Sequence, residues 1–447
     1  MSIIELGVFD RLNISTNKRI NNNKPKSQKP KPNAIPKSLP HLAAFLYLAS
    51  MTIVLPIGGM GALSAQLPDL IFLLSFPFVL WHYREKVFAV GPLLWIGGFY
   101  VGANLLSAGL SGSTSAIVES LARGYLMLLG FWMAAWLREG GLSDLWPRIR
   151  KVIMWVGIVW AGMSLLFYFS HFIWGHGIGL REYAHYPYLG AVARINGGTT
   201  TSNLFLWALG PAFFLLFEAK LAGKRVGNFV FLVGLALLLT LSKALMLYAA
   251  YVLLRLLEQY CRVYRPLIPR LIVIGATIFL YLGTHFVWKA SEAPVEIESV
   301  YYEQEPLYSS SMGDVYLSSY SSIKIANAHI FKAHPWFGVG PGQSKKHIPD
   351  LIDRGLYPAH LPVNEPHSSL FGAASETGIL GLLSLILLIG YSVYHFLPLA
   401  QTSDPTLRAL LYFLLFLLIA SFQQDVMNFR FLWVIWGVLL GWRSLLS

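Results

Sequence analysis

The sequence predicts an all-α polytopic membrane protein of about twelve transmembrane helices, with one large outer loop that contains short amphipathic helices. Three observations carry that expectation. Of the 447 residues, 55% are hydrophobic and only 13% are charged, against roughly 25% charged in an ordinary soluble domain. Apolar runs of about 20 residues recur along the chain, the length an α-helix needs to cross the hydrocarbon core, and mean hydropathy is +0.55. Lys and Arg are shared unevenly between alternate loops, and that asymmetry is what fixes membrane topology.

Residues 1–39 stand apart. Arg11, Lys18, Arg19, Lys24, Lys26, Lys29, Lys31 and Lys37 face only Glu5 and Asp10, and proline recurs from Pro25 to Pro40. Such a segment buries no core and reads as a disordered basic tail of extended character. It has no continuous apolar stretch with a small-residue cleavage site, so it is expected to be retained on the cytoplasmic side, facing anionic lipid.

Residues 40–288 contain nine candidate spans, at 41–60, 69–82, 87–108, 115–137, 151–174, 201–219, 227–241, 243–258 and 269–288. Residues 367–447 contain three more, at 368–397, 407–421 and 430–446. The second, seventh and eighth are short enough to be re-entrant. With the N-terminus inside, 22 of the 34 Lys and Arg fall on the inner side and 10 on the outer, while Arg123 and Arg255 lie within spans. Both termini are therefore expected in the cytoplasm. Read this way, the net charge of +12 is a topology signal, and the partner it implies is the lipid bilayer and not nucleic acid. The single cysteine, Cys261, excludes an intramolecular disulfide, and no Cys/His cluster offers a metal site.

Two outer loops are long enough to matter, at about 175–200 and at 289–366. The larger begins acidic, with Glu292, Glu296, Glu298, Glu303 and Glu305, and then becomes aromatic through Tyr316, Tyr320, Phe331, Trp336 and Tyr357. Within it, SSIKIANAHIFKAH (321–334) places Ile323, Ala326, Ile330 and Phe331 on one face of an amphipathic helix ending at Pro335. The following HPWFGVGPGQ, with three glycines and two prolines, dictates a tight turn.

Beyond it, NEPHSSLFGAASETGILGLL puts His367 beside Glu365 at the start of a span. An imidazole there can accept a proton near neutral pH, or it can simply solvate a helix start. In the smaller outer loop, RINGGTTTSN sets Arg194 ahead of Asn196, Gly197, Gly198 and Asn203 at the mouth of a span. An arginine fork next to a helix N-terminus suits an oxyanion; an N-capped helix whose arginine reaches headgroups is the other reading. Arg181 is a further candidate cation in the same loop. Glu119 and Arg123, four apart in one span, are expected to pair structurally, while Glu376 is placed to orient a loop or reach an arginine.

Together HPWFGVGPG and PHSSLFGAASETGILGLL resemble the signature of the O-antigen ligase and O-antigen polymerase superfamily. In that signature a Gly-Val-Gly turn precedes a histidine, an E-x-G-I-L-G run and a late span. His334, Pro335, Gly338, Gly340, Gly342, Glu376 and Gly378 carry the match, and ten residues separate His367 from Gly378 in the His-x10-Gly spacing associated with the ligases. The resemblance implies a bacterial inner-membrane enzyme that transfers a glycan from a polyprenyl diphosphate to a hydroxyl of an acceptor glycan at the periplasmic face. No nucleotide sugar, metal or other cofactor is implied. His367 is then the general base, and Arg194 with Asn203 takes the diphosphate. TLSKALM (240–246) resembles the family's T-x-S-R-G step, with Lys243 in place of the arginine. Relatives often carry an arginine just upstream of the loop helix, where this chain has Tyr320, Ser321 and Ser322, with Lys324 nearby. The His-x10-Gly spacing and the late loop favour a ligase, with a polymerase of the same superfamily as the alternative. A transporter of polyprenyl-linked glycan is the reading from another class, but it has few intramembrane charges and no internal repeat to support it.

Overall fold

A computed structural model describes residues 38–446, apart from 52–58, 61–62, 65–66, 89–90, 175–180, 187–189, 261–273, 291–304, 402–403 and the single residues 141, 280 and 282. The basic tail at 1–37, the acidic start of the large loop and Cys261 lie outside the described residues.

The first half of the chain is helical. It comprises α1 (Ser38–Ser50), α2 (Leu67–Phe88), α3 (Pro92–Ser111), α4 (Thr114–Gly140) and α5 (Leu142–Trp174), with a two-residue ladder β1 (Gly59–Met60) and β2 (Leu63–Ser64) between α1 and α2. A hairpin follows, β3 (Arg181–Tyr186) with β4 (Gly190–Ile195), and then α6 (Ser202–Leu221), α7 (Gly227–Leu238) and α8 (Leu245–Tyr260). The large loop holds strands β5 (Phe286–Ala290), β6 (Tyr308–Ser310) and β7 (Gly313–Leu317) in the antiparallel order β5-β7-β6. It continues with α9 (Ser319–Ala333) and α10 (Ile348–Asp353). The chain ends in α11 (Ser369–Phe396), α12 (Pro405–Ala420) and α13 (Arg430–Leu446).

Among the described residues, five helices are long and apolar enough to cross a membrane, namely α3, α4, α5, α6 and α11. Apolar helices of 10–17 residues are present in α1, α2, α7 and α12. The amphipathic helix expected at 321–334 is α9, and its buried Ile323, Ala326 and Ile330 pack with Val339, Ile348, Leu351 and Tyr357 in a small core of its own. The strands were not expected. The end of the ninth candidate span, FVWKA, is β5 instead of helix, because a β-branched and aromatic run finds a partner in β7.

Lipid gives apolar side chains no reason to prefer one another, so helices associate where small residues let backbones approach. Helix α13 meets α4 along such a seam. A Cβ on Gly437 would lie 2.2 Å from the Gly130 carbonyl oxygen, and one on Gly441 would lie 2.8 Å from that of Ala134. Buried tryptophans close the same seam, with Phe131 edge-on to Trp436 at 5.3 Å. At the far side, Arg430 opening α13 makes a forked pair with Asp69 of α2 (2.8 and 2.5 Å), and Tyr125 donates to the same carboxylate at 2.6 Å.

Candidate active site

The glycine-rich turn and helix α11 build one another. Gly378 interrupts α11 with φ 66° and ψ −161°, a region essentially closed to residues with a Cβ. The break frees carbonyls that the helix would otherwise satisfy, and the turn supplies the donors. Val339 N–H donates to Ser375 O at 3.1 Å, and Gly340 N–H to Glu376 O at 2.8 Å. In return, Ile379 N–H donates to Pro335 O at 2.8 Å. The backbones come so close that a Cβ on Gly338 would sit 2.2 Å from the Glu376 carbonyl carbon, and one on Gly378 would sit 2.3 Å from that of Trp336. His334 and Pro335 lie exposed at the edge of the turn, while Gly340 and Gly342 complete it in left-handed conformation at φ 101° and 70°.

Glu376 is buried beside the break and reaches an arginine. Its carboxylate lies 3.0 Å from Arg123 Nη2 and accepts from Ser344 Oγ at 3.2 Å. Arg123 also donates to Asn104 Oδ1 at 2.8 Å and faces Glu119 at 3.6 Å, so the expected Glu119–Arg123 pair is present and is shared with a third partner. This network ties α3, α4, α11 and the turn together, and its role is to hold the break.

Eleven residues before Gly378, His367 has φ 47°, a left-handed conformation uncommon for a residue with a side chain. The loop between α12 and α13 holds it there. Ser369 N–H and Ser368 Oγ both donate to Ser421 O, at 2.9 and 3.1 Å. Ser369 Oγ donates to Asp425 at 3.0 Å and accepts from Val426 N–H at 3.0 Å. With Ser368 serving as N-cap of α11, the chain has to turn sharply at His367. Burial, and after it the Lys324 ammonium, push the imidazole below its ordinary range against the opposing pull of Glu365 and Asp425. At neutral pH it is uncharged.

Three cations converge on the same end of the bundle. Hairpin β3–β4 is stitched to the end of α7 by Ile195 N–H on Leu239 O at 3.0 Å. Arg194 then donates from Nε to Thr240 O at 2.6 Å and from Nη2 to Asn203 Oδ1 at 3.3 Å. Thr201 N-caps α6, accepting from Leu204 N–H at 3.2 Å. Arg194 and Asn203 are therefore brought together, while Arg181 stands on β3 opposite Ile195 and its side chain lies outside the described residues.

Leu241 in the α7–α8 connection also has φ 47°, and the turn it makes presents Lys243. Nζ of Lys243 donates to Thr284 O at 3.2 Å and lies over the Tyr320 ring, 5.2 Å from its centroid. The same ring meets His367 in a T-shaped contact, at 5.4 Å between centroids. Lys324, buried on α9, contacts His285 Nε2, and His285 Nδ1 faces Gln423 Nε2 at 3.1 Å. Burial, helped by the Lys243 charge, lowers the Lys324 ammonium to about 8.

Arg194, Lys243, Lys324 and His367 thus form one neighbourhood with Tyr320 at its centre. Such an arrangement provides a neutral base beside fixed positive charge, as attack by a hydroxyl with departure of an anion requires. Sequence reasoning missed His285, Gln423 and Asp425, and it did not give Tyr320 its bridging place. A histidine inside an apolar run and a Gln-Gln-Asp cluster between the last two spans were the available signals, since ionisable and polar groups at such positions are costly without a task.

Residues 228–386 match the family model described as O-Antigen ligase. The matched segment runs from α7 to the middle of α11 and includes Lys243, Lys324, the glycine-rich turn and His367; Arg194 and Asn203 precede it. The match bears out the resemblance read from the motifs and supports glycosyl transfer of the O-antigen ligase and polymerase kind at a membrane. No curated protein matches the chain.

Proposed function

We propose that the protein transfers a glycan from a polyprenyl diphosphate carrier to a hydroxyl of an acceptor glycan at the outer face of the bacterial inner membrane. The observation that carries this reading is the placement of His367. It is a neutral imidazole in a left-handed turn, sharing Tyr320 with Lys243 and flanked by Lys324, all within the segment that matches the ligase model. In this scheme the acceptor oxygen attacks the anomeric carbon and its proton passes to His367. The bond from that carbon to the diphosphate oxygen breaks, and the polyprenyl diphosphate departs with the electron pair. Arg194, Lys243 and Lys324 stabilise the charge on the departing group, Arg194 by its planar fork and the lysines as point charges.

An apolar cavity of about 530 Å³ between α8, α11 and α12, lined by residues such as Leu254, Ile389, Val393, Leu415 and Phe416, supports the assignment of a long hydrocarbon tail to the donor. Leu370 and Ser421 also line it, so the cavity reaches the elements that fix His367. The membrane layout that goes with this reading has twelve spans, both termini in the cytoplasm and residues 289–366 in the periplasm. The distribution of Lys and Arg supports it.

The test is complementation of a strain lacking the gene with the wild type, His367→Ala and Arg194→Ala, followed by gels of surface and lipid-linked glycans. Long chains stranded on the carrier in His367→Ala identify a ligase, and chains reduced to single repeats identify a polymerase. Unchanged glycans from a normally expressed variant would remove His367 as the base.

A further inference from the structure

The three-stranded sheet of the large loop turns one side inward and leaves the other uncovered. Pairing of Phe286 with Leu317, Trp288 with Val315, and Val315 with Tyr308 places those five residues on one face. Phe286, Trp288 and Tyr308 are 49%, 57% and 64% exposed, and Leu307 and Met312 at the rim of the same hairpin are 61% and 77% exposed. The opposite face carries Val287, Asp314 and Tyr316, with Tyr316 buried. A sheet with one side in water ordinarily carries polar residues there. This one reverses the pattern, and an apolar face rich in exposed aromatics marks a contact.

The position of the sheet in the chain indicates the contact. Strand β5 begins three residues after the helical Gly283, at the end of the ninth candidate span. Because β7 runs antiparallel to β5, it leaves the sheet at that same end, where Ser318 N–H and Ser321 Oγ both donate to His285 O, at 2.9 and 2.8 Å. A sheet of strands no longer than five residues, whose entry and exit are both fastened to the terminus of a span, stays within a few residues' reach of the headgroups. Trp and Tyr, with an apolar body and one polar tip, are the side chains enriched at that level. Among the described residues, the polar side-chain atoms of this face are the indole N–H, the phenol O–H and the Ser310 hydroxyl, the last already donating to Gly313 O at 2.9 Å, too few to recognise a saccharide.

We infer that the β5–β7–β6 sheet lies with its Phe286–Trp288–Tyr308 face on the outer leaflet of the bilayer, so that lipid is the partner covering it. The inference rests on the sidedness proposed above. It also gives α9, and with it Lys324 and Tyr320, a fixed height over the membrane, because β7 leads into α9 with only Ser318 between them.

The experiment uses the full chain with Cys261→Ser and one new cysteine, Met312→Cys or Ser309→Cys, labelled with bimane. The labelled protein is reconstituted in vesicles of phosphatidylethanolamine and phosphatidylglycerol. Nitroxide-bearing lipids are expected to quench the label at position 312 several-fold more than that at 309, and aqueous iodide to do the reverse. Equal iodide quenching at both positions with no lipid quenching would overturn the inference. So would protection of position 312 that appears only when an oligosaccharide is added, which would assign the face to a glycan. A membrane-impermeant maleimide separates this failure from that of the sidedness. If it reaches position 309 from outside, the topology stands whatever the sheet contacts; if it does not, the topology falls and the inference with it.

Discussion

The Tyr320 ring meets the His367 imidazole edge-on, with centroids 5.4 Å apart, while its face carries the Lys243 ammonium at 5.2 Å. One aromatic side chain therefore sets the spacing between the imidazole and the ammonium, the groups to which the proposed reaction gives the proton and the departing anion. Contacts of these two kinds are worth about 0.5–1.5 kcal/mol each. Tyr320→Phe keeps both and is expected to transfer glycan within about twofold of wild type, while Tyr320→Ala loses both and falls about tenfold, since roughly 1.4 kcal/mol is a factor of ten. Initial rates in vesicles with a polyprenyl diphosphate glycan donor measure the difference.

For the reaction proposed above, the same neighbourhood is expected to give a bell-shaped pH profile. A protonated His367 cannot accept the acceptor's proton, so the rate falls as pH drops through a histidine pKa that burial and Lys324 hold below the ordinary 6.5. On the alkaline side, Lys324 loses its charge near pH 8 and holds the anion less well. Lys324→Arg, which stays charged, is expected to abolish the alkaline limb. Lys324→Met removes a cation that lowers the His367 pKa and so is expected to move the acid limb to higher pH. The pH dependence of kcat/KM for the three proteins checks both signs.

Gly378→Ala introduces a Cβ where φ is 66° and ψ −161°, 2.3 Å from the Trp336 carbonyl. The backbone conformation alone costs about 1–3 kcal/mol, and the clash with a backbone atom adds to it. The variant is expected to unfold at a distinctly lower temperature in detergent than Gly390→Ala, where nothing lies within 4 Å of the added Cβ.

Arg123→Ala leaves the Glu376 carboxylate buried without its cation, a change that costs about 3–5 kcal/mol for a buried pair. Adding Glu376→Gln removes the unpaired charge and is expected to recover part of the loss. Thermal unfolding of the two single variants and the double variant gives the coupling, and an additive result would show that the pair does not hold the break.

Much of the site was legible because its chemistry is local in the chain. The His-x10-Gly spacing and the Gly-Val-Gly turn are each contiguous, and the turn demanded glycine by backbone geometry alone. Arg194 with Asn203 was legible for the same reason, being nine residues apart across a helix start. His285, Gln423 and Asp425 were not, because their meaning arises only when three separate connections fold onto one end of the bundle. The strands were missed because FVWKA continues an apolar run, and periodicity cannot separate the last turn of a span from a strand when both are apolar. Glu376 falls between the two cases: reaching an arginine was one of its two readings, but which arginine, 253 residues away, was a matter of packing.

The exchange of hydrogen bonds between the turn and the interrupted helix also decides how rigid that corner of the molecule is. Swinging residues 335–340 away would strand the carbonyl of Ser375 and the N–H of Ile379 and leave the carbonyl of Glu376 with Ser107 Oγ alone, at about 1–3 kcal/mol for each buried group left unpaired. The turn is thus a fixed wall, already built before any substrate arrives.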